Sequence, residues 1–171
     1  GCITGQTTEE KPTKGNTFII WRGGETGDFE LTLDYKIVGG NSGVQYRSFE
    51  VPDNKWVVGG YQADIDSGDT YSGINYGERF RGILANRGQK TVLTEVEVDK
   101  KDKEGNVKRV KEVKVDVVEK LGESADIQAK IKKEDWNEYK IIAKGNHVQH
   151  FINGMQTIDV TDEDAANAPK E

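Results

Sequence analysis

The chain has 171 residues, of which 34% are hydrophobic and 32% charged, and a formal net charge of −6. That length builds one domain with a sizeable core. The acidic balance, with no basic stripe interleaved with aromatics, argues against nucleic acid as a partner. No apolar run approaches the ~20 residues a membrane helix needs. The single cysteine, Cys2, excludes an internal disulfide, and with only His147 and His150 beside it there is no zinc-ligand spacing, so no metal site is assigned from the residues.

Strand signals dominate. A Gly-Cys start can mark a lipidated terminus, but Cys2-Ile3-Thr4 reads as a strand, and that reading is preferred. Residues 17–21 form a short apolar run. Residues 28–37 alternate strictly, with Phe29, Leu31, Leu33, Tyr35 and Ile37 on one side, which predicts a strand with one face on a core. After Gly39-Gly40 the strand signal resumes over 42–50, with Val44 and Tyr46 on one face and Gln45, Arg47 and Phe49 on the other. Residues 61–66 put Tyr61, Ala63 and Ile65 on one face and Gln62, Asp64 and Asp66 on the other.

A loop rich in Gly, Ser and Tyr is expected up to Glu78, then a short strand at 82–86. Residues 91–99 and 110–118 alternate valine with charge around a turn at Gly105-Asn106, predicting a long, projecting hairpin. A short helix is expected within 123–133, with Ser124 as its cap and Ile127 and Ile131 inward. Strands follow at 136–143, 147–152 and 155–160, the last two joined by Asn153-Gly154, a strong hairpin turn. Thr161-Asp162 is read as the cap of a short helix through Ala165-Ala166. Trp136 and Tyr139 are assigned to the core, Trp21 and Trp56 to core or loop packing. His147 and His150 differ by three in a strand, so they face opposite sides, and each is expected at the surface. Many short strands with glycine-rich turns predict an all-β sandwich or jelly roll with one or two short helices.

The segments GNSGVQYRS (40–48), GYQADID (60–66), YGERFRGILANRGQ (76–89), DWNEYKIIAKGNHVQHFING (135–154) and TIDVTDED (157–164) resemble, in order, the 3-keto-disaccharide hydrolase family. The resemblance covers nearly the whole chain as a single domain, 1–171. It implies a concanavalin A-like lectin and glucanase sandwich. It also implies that the first and last strands of the family pattern, the latter with a Leu-Gln-Leu-His-type motif, lie outside this chain, and that Cys2 is then not a lipidated terminus. A bacterial periplasmic or extracellular setting and a carbohydrate substrate are the family's usual ones.

The implied chemistry is cleavage of glycosides oxidised at carbon 3. The ketone acidifies the C2 proton, so a base can form an enolate that expels the C1 substituent, and water can add afterwards. Direct hydrolysis with paired carboxylates is the other route. The site needs a base, an acid and a group to steady the enolate oxygen. A divalent metal can supply the last function, and the sequence leaves the cofactor open. The candidate catalytic residues are Asp64 as base, Glu78 as second acid or base, and Arg47 for the enolate or sugar hydroxyls. Asn41, Gln45, Gln62, Asp66, Tyr76 and Arg81 are the candidate substrate-binding residues. The bland alternatives are a structural salt bridge or cross-strand pair for Arg47, a solvent-facing strand for Gln62, Asp64 and Asp66, and a solvated turn for Glu78, Arg79 and Arg81, which is the preferred reading for Arg79 alone. Two other functions compete: a non-catalytic carbohydrate-binding module on the same sandwich, and an adhesion module that uses the charged hairpin.

Overall fold

The computed structural model describes residues 1–52, 54 and 56–164. In chain order the elements are β1 (Phe29–Tyr35), β2 (Asn41–Glu50), β3 (Val58–Asp66), β4 (Asn75–Glu78), β5 (Gly82–Ala85), β6 (Gln89–Lys101), β7 (Val107–Lys120), α1 (Ser124–Gln128), β8 (Asn137–Lys144), β9 (His147–Ile152) and β10 (Met155–Asp162). They form a six-stranded sheet, β1-β8-β9-β10-β6-β7, facing a four-stranded sheet, β2-β3-β4-β5. Neighbours run antiparallel except β10 and β6, which pair in parallel.

Period-2 alternation builds the core. Tyr35 from β1, Tyr46 from β2, Tyr61, Ala63 and Ile65 from β3, and Leu84 from β5 meet Leu93 of β6, Tyr139, Ile141 and Ala143 of β8, Val148 and Ile152 of β9, and Ile158 and Val160 of β10. The Asn153-Gly154 turn has positive φ at both residues, 49° and 78°, as a two-residue hairpin turn requires. The β6–β7 ribbon is the long charged hairpin expected from its sequence. Cross-strand pairs such as Lys111–Glu95 (2.6 Å) and Arg109–Asp99 (3.2 Å) lace it, but exposed pairs of this kind add little stability.

Several local expectations are overturned. Residues 1–27 contain no strand, so neither Cys2 nor the 17–21 run sits in a sheet, and Cys2 is exposed. An apolar run becomes a strand only where a ladder partner takes up its backbone groups, and among the described residues β1 pairs with β8 alone. Helix α1 stops at Gln128, and Ser124 is its first residue; Glu123 holds the cap position without a side-chain bond. The helix expected from Thr161 is instead the end of β10, which runs to Asp162; residues 165 and 166 lie outside the described residues. Trp136 is 48% exposed because it precedes the inward Asn137, Tyr139, Ile141 and Ala143 by one, three, five and seven positions, on the other face.

His150 is the largest correction. It is fully buried, in line with Val148 and Ile152 on the inward face of β9. Both of its ring nitrogens find phenols: Nε2 lies 2.8 Å from the Tyr46 hydroxyl across the sandwich, and Nδ1 lies 3.2 Å from Tyr139. The imidazole therefore joins the two sheets by a hydrogen bond that an aliphatic side chain cannot make. Burial pushes its pKa down to about 3.

The folded pKa of His150 is below the unfolded value of 6.5, so the unfolded chain takes up the proton first. Stability is complete above that pH and falls as pH drops towards 3. Between pH 7.5 and 5 the loss from this residue is about 2 kcal/mol. Urea titrations of wild type and His150→Gln at both pH values test this. The variant is expected to be less stable at pH 7.5, with a drop between the two pH values smaller by about that amount.

Candidate active site

The face of the four-stranded sheet turned away from the core carries most of the residues singled out from the sequence. Tyr61, Ala63 and Ile65 fill the core from one side of β3, which forces Gln62, Asp64 and Asp66 to the other. Strand pairing then sets a row across the sheet: Gln45 of β2 lies opposite Gln62 of β3, Gln62 opposite Tyr76 of β4, and Tyr76 opposite Ile83 of β5. Glu78, expected on a loop, is the last residue of β4 and lies opposite Gly60 on the same face. Gln45, Gln62, Asp64, Tyr76 and Glu78 are thus brought together.

Asp64 is the unusual member. Its exposure is only 6%, and its carboxylate accepts a hydrogen bond from Gln62 Nε2. Burial pushes its pKa up to about 6 from 3.8; the Gln62 amide holds it down, and the charges of Glu78 and Asp66 push it up further. A carboxylate that is costly to ionise, beside two further acids, is the combination found where a base is tuned for chemistry.

Gly43 makes the Gln62–Asp64 contact possible. It sits opposite Asp64, and a Cβ there would lie 2.8 Å from Gln62 Cγ and 2.9 Å from Nε2. The missing side chain is the space in which the Gln62 amide lies. Glycine inside a strand is the signal that marks such a close approach. Beside it, both amide atoms of Gln45 are buried and have no hydrogen-bond partner.

Arg47 does not join this face. A bulge between Tyr46 and Phe49, with Arg47 at φ 47°, interrupts the alternation that would have set it beside Gln45. Its guanidinium is nearly buried instead, donating to the Gly145 carbonyl and lying 3.5 Å from Asp28, whose carboxylate also accepts the Gly145 N–H at 2.7 Å. The bulge presses on β3, where only glycine fits: a Cβ on Gly60 would meet Arg47 O and Ser48 Cα at 2.9 Å.

Arg81 is also withdrawn. Its side chain is 5% exposed and forked between Asp162 (2.5 Å) and Asp164 (2.8 Å), and Asp162 accepts the Tyr61 hydroxyl as well. It clamps the β4–β5 connection to the end of β10, a structural task that the Thr161 helix expectation concealed. Asp66 is spent largely on its own turn, accepting the N–H groups of Thr70 (3.4 Å) and Tyr71 (3.2 Å). Asn41 is exposed at the start of β2, opposite Asp66. Arg79 is exposed, 3.5 Å from Glu78. His147 stays at the surface of the six-stranded sheet, its Nε2 2.8 Å from Asp159. Among the described residues, no cluster of three or more His, Cys, Asp or Glu side chains is arranged to hold a metal ion.

A family model described as a 3-keto-alpha-glucoside-1,2-lyase-like domain matches residues 1–171, the whole chain. The chain belongs to this family. Its concanavalin-like fold agrees with the two facing sheets, and its name is that of a glycoside-cleaving domain. No curated protein matches the chain closely enough to add a named relative. Within this lyase-like domain the segments GNSG and GYQADID are the two neighbouring strands that bring Gly43, Gln62 and Asp64 into contact.

Two substitutions separate the face from the clamp. Asp64→Asn removes a carboxylate whose ionisation the fold opposes, so at pH 7.5 it is expected to raise stability, by about 1–3 kcal/mol. The folded pKa is the higher one, so this gain is expected to shrink as pH falls through 6. Arg81→Ala strands two buried carboxylates and is expected to cost about 3–5 kcal/mol. Urea denaturation of both variants at pH 7.5 and 5 checks the signs.

Proposed function

We propose that this chain cleaves 3-keto-glycosides by elimination, with Asp64 as the base. The observation that carries the proposal is the buried, hydrogen-bonded Asp64 carboxylate on a face otherwise lined by amides, a tyrosine and a second acid. Membership of a 3-keto-alpha-glucoside-1,2-lyase-like family supports the substrate class.

In the step proposed, Asp64 takes the C2 proton, which the C3 ketone has acidified. The C2–H electron pair passes into the ring as an enolate and then expels the oxygen on C1. The products are a C1=C2 unsaturated 3-keto sugar and a free alcohol, and water can add across the double bond afterwards. Raising the pKa of Asp64 to about 6 makes its carboxylate a stronger base, while it remains mostly ionised at neutral pH. Glu78 is the second carboxyl, suited to hand a proton to the leaving oxygen.

The rate is expected to rise with pH through about 6 and level off above it, because the base must be ionised. Asp64→Asn is expected to lower kcat by about 10²–10⁴-fold while keeping substrate affinity. Deuterium at C2 of the substrate is expected to slow turnover, as C2–H cleavage requires. The measurements are kcat/KM from pH 4.5 to 8.5 on a 3-keto-disaccharide and kcat with the C2-deuterated substrate. A pH-independent rate untouched by Asp64→Asn contradicts the base assignment. Absence of a C2 isotope effect turns the mechanism towards hydrolysis. Binding without turnover in wild type favours a carbohydrate-binding module.

A further inference from the structure

Strand β7 closes one edge of the six-stranded sheet. It is 14 residues long, and among the described residues it pairs with β6 alone, so the backbone groups on its far side have no strand to meet. An edge of that length is a template for another strand. Lysine is a common means of blunting such edges, and the first part of β7 fits that pattern with Lys108, Arg109 and Lys111. The stretch from Val113 to Val117 does not: it reads Val-Lys-Val-Asp-Val, with one cation and one anion.

The two faces of this stretch differ. Val113, Val115 and Val117 lie opposite Glu95, Leu93 and Thr91 of β6, and Leu93 and Thr91 are fully buried, so the three valines are on the core-facing side. Val113 packs against the core, yet Val115 is 37% and Val117 55% exposed, one strand's width from side chains that are wholly covered. Lys114 and Asp116 share the other side, 2.8 Å apart, with side chains 57% and 42% exposed. Past Val117 a bulge makes Val118 an extra residue and ends the regular ladder.

We infer that this edge pairs with the same edge of a second copy, antiparallel, about a two-fold axis at Val115. Residues opposite each other in such a pair share a face, so their numbers add to an even total and few registers compete. Centring on Val115 sets Val115 against its own copy, Val113 against Val117 twice, and Lys114 against Asp116 twice. Valine meets valine and cation meets anion throughout, which are the stabilising cross-strand pairs. Centring on Lys114 opposes that lysine to itself and Glu112 to Asp116, and centring on Asp116 opposes that carboxylate to itself. Centring on Val113 sets Val110 against Asp116 and Lys111 against Val115. The edge is thus complementary to itself in one register, which is the signature of a two-fold interface between identical chains. With the axis perpendicular to the sheet, the two six-stranded sheets become continuous and both Asp64 faces look the same way. So short a pairing buries little surface, and the association is expected to be weak.

The test is sedimentation equilibrium of the chain from about 10 µM to 1 mM, with disulfide trapping on a Cys2→Ser background because Cys2 is exposed. Wild type is expected to pass from monomer to dimer over that range. Lys114→Glu, which puts a carboxylate opposite Asp116, is expected to weaken the dimer about tenfold; Lys114→Asp combined with Asp116→Lys is expected to restore it to within about threefold. Val115→Cys is expected to trap the dimer on oxidation, because residues opposite across the axis have Cα atoms ~5 Å apart, within disulfide range. Val117→Cys, although more exposed, is expected not to: its own copy lies four residues, ~13 Å, along the partner strand. Circular dichroism melts check that each variant is folded. A chain still monomeric at ~1 mM, a dimer indifferent to Lys114→Glu, or trapping through Val117→Cys ahead of Val115→Cys would overturn the pairing.

Discussion

Tyr61, Ala63 and Ile65 enter the interlayer core from one side of β3, and the rest of the structure depends on that placement. A slip of one residue would send Gln62, Asp64 and Asp66 inward and three core side chains outward. The register with β2 and β4 is therefore held by burial, and the same burial fixes which polar groups share the opposite face. Asp64 is desolvated although it points away from the core, because the Gln62 amide lies against it and Gly43 leaves room for that amide. Packing on one side of a strand thus sets the chemistry on the other.

The core itself carries a polar network. His150 joins Tyr46 and Tyr139, and Tyr61 reaches Asp162, which Arg81 also holds. Each group has a partner from another strand, so the network ties the sheets together and fixes their relative position, whereas aliphatic packing tolerates sliding. The same network removes Arg81 from the outer face. The bulge at Arg47 does likewise for its guanidinium, and Gly60 accommodates the backbone that the bulge displaces. A cation close in sequence to the candidate residues does not thereby join their face; both arginines serve the frame.

The strands with clean alternation were legible in the sequence, as were the Asn153-Gly154 turn, the charged ribbon and the separation of Gln62, Asp64 and Asp66 from Tyr61, Ala63 and Ile65. Alternation failed where its premise fails. It assigns a face only while the ladder is regular, so the bulge hid the direction of Arg47. It cannot tell an inward face from an outward one when the inward residue is polar, so His150 was read as exposed. It is silent on partners distant in sequence, so the clamp of Arg81 by Asp162 and Asp164 and the lack of a ladder partner for 17–21 were both out of reach. β4 is four residues long, too short to separate from its glycine-rich surroundings. Gly43 lies within a motif of the sequence, but its meaning depends on the Gln62 side chain of the neighbouring strand, which the sequence does not place.

Proton removal on this face requires that the surroundings of Asp64 hold its carboxyl well above the ordinary aspartate range. The most direct measurement is its own titration, followed by the carboxyl carbon resonance in NMR, with Asp64→Asn used to assign the signal. A midpoint near 6 is expected, moved upward when Gln62→Leu removes the amide that favours the charged form. A midpoint near 3.8, unmoved by that substitution, would mean that Asp64 is an ordinary surface acid and would contradict the reading of this face as a site tuned for proton removal.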